Sequence, residues 1–93
     1  MISKNNPKSV LLNIDGIAIK VVLKWEGYEL FVDNQLVDEW KGMGISIPLI
    51  QVTRLNAKPK SGMYIEANIR NMGIGFRLEV RSNGQLVHSQ FFA

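Results

Sequence analysis

The sequence predicts an all-β fold, an antiparallel β-sandwich or partly open barrel of about seven to eight short strands. Three features of the 93-residue chain carry this prediction. Apolar and polar residues alternate with a period of two over several runs. Turn-forming residues recur every ~8–12 positions between those runs. No segment has a convincing helical period.

Taken in order, Val10–Ile14 and Ile17–Trp25 are the first two strands. In the second, Ile17, Ile19, Val21, Leu23 and Trp25 lie on one face, and Ala18, Lys20, Val22 and Lys24 on the other. β-Branched residues dominate it, which suits a pleated surface. Asp15-Gly16 joins the two runs, and such a pair favours a type I′ turn because both positions need positive φ. Tyr28–Val32 is a third strand, with Tyr28, Leu30 and Val32 on one face. Asp33-Asn34 supplies two residues that tolerate the left-handed region. Gln35–Trp40 returns, with either Val37 or Leu36 inward according to register.

Lys41-Gly-Met-Gly44 reads as a flexible break, and the stretch around Asp38–Met43 holds at most one helical turn against Gly42 and Gly44. Ile45–Leu55 reads as a fifth strand, placed at an edge or bulged by Pro48. Asn56–Gly62, polar and containing Pro59, reads as a loop. Met63–Asn71 alternates Met63, Ile65, Ala67 and Ile69 inward with Tyr64, Glu66, Asn68 and Arg70 outward. Gly73 and Gly75 bracket a turn. Phe76, Leu78 and Val80 then face in, and Arg77, Glu79 and Arg81 face out. Ser82-Asn83-Gly84 makes the last turn, and Gln85–Phe92 the last strand. Leu30-Phe-Val32, a turn and Gln35-Leu-Val37 echo Leu78-Glu-Val80, a turn and Gln85-Leu-Val87. A duplicated hairpin produces such an echo, and so does convergence of amphipathic hairpins.

Composition narrows the function classes. No cysteine is present, so disulfides and thiolate metal sites are excluded. With 46% hydrophobic and 20% charged residues, disorder is disfavoured. The first eight residues lack the apolar core of a signal peptide, and no run approaches the ~20 apolar residues of a membrane helix. The expectation is a flexible tail over residues 1–8, a single domain over 9–93, a cytoplasmic location and no membrane contact. A formal charge of +3 favours acidic partners only weakly.

Chemistry-bearing residues are sparse. His88 is the only histidine, and no serine sits in a nucleophile elbow, so a surface or interface role fits it best. Asp38 and Glu39 are adjacent on a strand and point to opposite faces, so they form no acid–base pair. Gly73-x-Gly75 lacks the following helix that a phosphate loop requires. No catalytic residue, cofactor or metal site is expected.

Two surfaces stand out. Arg70, Arg77 and Arg81, with Tyr64, form a candidate basic face for single-stranded nucleic acid. Glu66 and Glu79 on that same face favour a solvated sheet with cross-strand ion pairs instead. Trp25, Trp40, Phe91 and Phe92 form a candidate interaction surface. The tryptophans suit the end of a core, or else stacking on a carbohydrate or small ligand. Phe91 and Phe92 are consecutive, so one of them faces away from the core.

Val32-Asp-Asn-Gln-Leu-Val-Asp-Glu-Trp40 resembles the Val-Asp-Gly…Glu-Trp hairpin of the Fas apoptotic inhibitory molecule family. Phe76-Arg-Leu-Glu-Val80 with Asn83-Gly84-Gln-Leu86 is similar to that family's Leu-Glu-Ile-Asn-Gly-x-x-Leu hairpin, and strand order and length are compatible across most of the chain. Asn34 departs from the family's turn glycine, and no functional residue carries over. The resemblance implies a compact antiparallel β-sandwich without enzymatic activity that acts through protein contacts. The expected function is therefore a non-enzymatic macromolecular interaction module, with a protein partner that is another protein or a second copy.

Overall fold

The computed structural model describes residues 7–24, 26–42, 52–72 and 74–93. Among these residues the fold is entirely β. Eight antiparallel strands form two four-stranded sheets: β1 (Lys8–Ile14), β2 (Ile17–Lys24), β3 (Gly27–Val32) and β4 (Gln35–Lys41) in one, and β5 (Val52–Lys60), β6 (Met63–Asn71), β7 (Phe76–Ser82) and β8 (Gln85–Phe92) in the other. Each sheet is a meander in which every strand pairs with its sequence neighbour. The sheets face one another across a shared core, as a β-sandwich does.

Side-chain alternation builds that core. Ile19, Val21 and Leu23 of β2, Ile65, Ala67 and Ile69 of β6, and Leu78 and Val80 of β7 are all essentially inaccessible to solvent. Each large aliphatic side chain removed from water in this way contributes about 1.5–3 kcal/mol. Tyr28 and Leu30 complete the inner face of β3. Tyr28 stacks on Trp40 at 5.1 Å between centroids and meets Phe76 edge-on at 6.3 Å. Burial pushes the Tyr28 hydroxyl up to about 12.

The turns follow their residues. Asp15-Gly16, Asp33-Asn34 and Asn83-Gly84 all take positive φ at both central positions, the requirement of a type I′ hairpin. The last turn is two residues long, because Ser82 belongs to β7 and pairs with Gln85.

Four expectations need correction. The first strand begins at Lys8, two residues ahead of the expected Val10. Neither Leu36 nor Val37 faces inward; both are exposed. Leu36 pairs with Phe31 and Asp38 pairs with Leu30, so Val37 is the extra residue of a β-bulge. The bulge lets the strand change phase without a slip of its whole register. Asn56–Gly62 is not a loop: β5 runs to Lys60, with Leu55 and Ala57 buried. Pro59 is accommodated because β5 is an edge strand and its register shifts between Ala57 and Lys60, where the missing N–H breaks no regular ladder. The fifth strand itself starts at Val52; Ile45, Pro48 and the break at Met43-Gly44 lie outside the described residues, as do Trp25 and Gly73.

The echo between the hairpins extends to both whole sheets. Val87 is bulged between Leu86, opposite Arg81, and His88, opposite Val80, just as Val37 is bulged in β4. In the first sheet Asp33 N–H donates to Ala18 O at 2.9 Å, and Ala18 N–H donates to Asp33 Oδ1 at 3.1 Å. In the second, Asn83 N–H donates to Tyr64 O and Tyr64 N–H donates to Asn83 Oδ1, both at 2.8 Å. These turns thus clamp the third strand of each meander onto the start of its second. The pairing places Val32 at the position of Ser82, two residues on from the match the sequence echo implies.

One contact ties the sheets at the β4–β5 corner. Asp38, opposite the buried Leu30, accepts the backbone N–H of Asn56 at 2.8 Å through Oδ2. A charged acceptor on a part-buried N–H contributes about 1.5–3 kcal/mol. Asp38→Ala is expected to lower stability by that amount, whereas Glu39→Ala next to it changes it by less than about 1 kcal/mol. Chemical denaturation of the two variants checks the difference; equal effects would remove the clasp from the account.

Candidate functional site

The outer face of the second sheet brings the predicted basic residues together. Register places Val52, Arg70, Arg77 and Phe91 side by side in one row across β5, β6, β7 and β8. The next row is Arg54, Asn68, Glu79 and Ser89, and the one beyond is Asn56, Glu66, Arg81 and Leu86. The β5, β6 and β7 side chains of these rows except Asn56, with Met72, line an open depression of about 520 Å³.

Both carboxylates of this face are already engaged. Glu66 Oε2 lies 3.3 Å from Arg54 Nε, which also donates to Asn68 Oδ1 at 3.0 Å. Glu79 Oε1 lies 3.5 Å from Arg81 Nη2. Arg81 is therefore an ion-pair partner two rows from Arg70 and Arg77, not an equal member of a basic trio. Tyr64 donates its hydroxyl to Asn56 Oδ1, which fixes the ring at the third row, two rows from Arg70 and Arg77. Arg77 Nη1 reaches only Ser89 Oγ, at 3.3 Å, and Arg70 has no ion-pair or hydrogen-bond partner among the described residues.

The sheet edges form the second candidate. Of the four edge strands, β4 carries Asp38, Glu39 and Lys41, and β5 carries Arg54, Lys58, Pro59 and Lys60. Charges and proline on an edge discourage pairing with another chain. The other two edges differ. β1 has a single charge, Lys8, at its start and an unbroken register; β8 has no Lys, Arg, Asp or Glu, though it is bulged at Val87 as β4 is at Val37. Large apolar side chains are exposed on all four edges, Leu11 at 69% on β1, Leu36 and Val37 on β4, Val52 on β5, and Leu86, Val87 and Phe91 on β8, so charge and not apolar exposure separates them. The repeat sharpens this contrast. The positions equivalent to Asp38 and Asn56, which clasp the β4–β5 corner, are His88 and Leu11.

The aromatic candidates separate. Trp40 is partly buried, stacked on Tyr28 and packed against the core. Its indole also covers Gly42, where a Cβ would stand 1.8 Å from the ring. The recess beside Trp40 measures about 30 Å³, room for a water molecule and not for a sugar ring. Of the phenylalanine pair, Phe92 packs against the core and Phe91 is the exposed member. His88 Nε2 is 3.0 Å from Gln90 Oε1 on its own strand. Among the described residues no three His, Asp or Glu side chains converge on one point, and no helix is long and apolar enough to cross a membrane.

The unguarded character of β1 and β8 escaped the sequence reading. Its signal was the composition of four strands compared as edges, which requires knowing the sheet order. Comparison with known protein families, characterised proteins and solved structures finds no match to this chain.

Proposed function

We propose that this protein is a non-enzymatic interaction module that associates with a second copy of itself through the edge strands β1 and β8. The observation that carries the reading is the uneven protection of the four edges. β4 and β5 carry several charges and a proline, whereas β1 carries one charge and β8 no Lys, Arg, Asp or Glu, and among the described residues no further strand pairs with any of the four. An edge strand is complementary to itself: antiparallel pairing about a two-fold axis satisfies the same donors and acceptors on both copies. Leu11, Leu86 and Val87 would be covered in the same step. The Asp38–Asn56 corner has no part in it, since its edges already meet within one chain. The resemblance of its hairpins to the Fas apoptotic inhibitory molecule family, which acts through protein contacts, points the same way.

Sedimentation velocity over a concentration series is the test. The wild-type chain is expected to shift from monomer to dimer as concentration rises. Leu11→Lys and Val87→Lys place a charge on the β1 and β8 edges, and at least one is expected to hold the protein monomeric with its circular dichroism unchanged. A wild-type chain that stays monomeric up to its solubility limit sinks the proposal.

A further inference from the structure

The outer face of the second sheet carries an uncompensated charge. Arg70 and Arg77 are directly opposed across β6 and β7. Directly opposed residues on adjacent strands have Cβ atoms about 4.5–5.5 Å apart, and like charges so placed destabilise a sheet. The first sheet shows how this chain treats the same problem elsewhere. Glu29 and Glu39 are also directly opposed, but Lys24 sits 3.0 Å from Glu29 and Lys41 sits 3.6 Å from Glu39. The hydrogen bond to Glu29 raises Lys24 above its ordinary pKa. In the repeat, Lys24 corresponds to Arg70, and the residue opposite Lys24 is Gly27. The second sheet thus places an arginine where the first leaves no side chain, and supplies no acid to balance it. The nearest carboxylates, Glu66 and Glu79, are held by Arg54 and Arg81.

The flanks of the pair are apolar. Val52 lies beyond Arg70 and Phe91 beyond Arg77, exposed at 46% and 39%. Two guanidiniums one strand apart can share a single phosphate, and an exposed ring one strand further, about 4.8 Å away, offers a stacking face for a base. β6 and β7 are both interior strands, so their backbone groups are consumed by the ladders. The face offers only side chains. That suits a nucleic-acid strand, which needs cations and aromatic faces, and does not suit a peptide added as a new strand.

We propose that the row Val52–Arg70–Arg77–Phe91 binds single-stranded nucleic acid, with a backbone phosphate bridging Arg70 and Arg77 and an adjacent base on Phe91. Its two arginines lie on interior strands, and of the edges proposed for self-association it shares only Phe91 of β8. Its test is fluorescence anisotropy of a labelled oligothymidylate titrated with the full chain. With one or two phosphates neutralised, affinity should fall about three- to seven-fold between 50 and 200 mM salt. Arg70→Gln and Arg77→Gln should each weaken binding and flatten that salt dependence. Phe91→Leu should weaken it about five-fold or more and leave the salt dependence unchanged. Leu11→Lys should leave binding intact, which separates this site from self-association. Both arginines are exposed and take no part in the ion pairs of this face, so their variants should keep the wild-type circular dichroism. Absence of binding at low salt, full binding by the Arg70→Gln/Arg77→Gln double variant, or equal competition by a phosphoserine peptide would overturn the assignment.

Discussion

Leu30→Ala is expected to lower stability by about 3–5 kcal/mol. Leu30 has no solvent exposure and lies in β3 between Val21 of β2 and Asp38 of β4. Truncation loses the transfer free energy of the deleted carbons and leaves a cavity that surrounding strands cannot close without disturbing their ladders. A chain of this length has a total stability of about 5–14 kcal/mol, so about a fifth of it or more depends on one side chain. The variant also exposes Asp38, which reaches across the corner to Asn56, to added water, so the corner should loosen with the core. Urea denaturation checks the prediction through the midpoint at unchanged slope. A loss below about 1 kcal/mol would mean that the two sheets do not press on this position.

Gly27→Ala should be almost as damaging, for a different reason. Gly27 has φ +153, and a Cβ there would stand 2.0 Å from the backbone carbonyl oxygen of Trp40. That obstacle is main chain of the paired strand and cannot swing away. Backbone strain and steric overlap together should cost at least about 3 kcal/mol. Gly84 provides the control. It also has positive φ, +82, but no atom lies within 4 Å of its would-be Cβ, so Gly84→Ala should cost only about 1–2 kcal/mol. Thermal melts of both variants should show the larger drop for Gly27→Ala. The reverse order would show that left-handed strain, and not the close approach of β3 to β4, governs these glycines.

The legibility of the fold in the sequence followed the locality of each signal. The inward sets of β2, β6 and β7 read directly, because alternation over seven or more residues admits only one face for Val21, Leu23, Ile65, Ile69, Leu78 and Val80. Asp15-Gly16 and Asn83-Gly84 read directly too, since their backbone preference is intrinsic. β5 was obscured because Lys58-Pro59-Lys60 has the composition of a loop, and only its place at a bulged edge makes it a strand. Val37 and Val87 could not be assigned to a face, because a bulge is a property of two strands and neither carries its signal alone. The candidate basic face was half legible. That Arg70, Arg77 and Arg81 share a surface follows from parity, but which of them an acid occupies depends on side-chain reach. Arg81 is taken by Glu79, and Arg70 is left unclaimed by any acid among the described residues.

The meander order of both sheets bears on how the chain reaches this state. Every ladder joins strands adjacent in sequence, so each hairpin can close over a turn of a few residues at a small loop-closure entropy. Sandwiches built on long crossovers must bring distant segments together before any contact rewards them, and they fold slowly for that reason. Here the two halves can each zip up locally and then collapse onto one another, the apolar faces supplying the drive. An all-β chain with this connectivity has a lower contact order than its architecture alone would suggest.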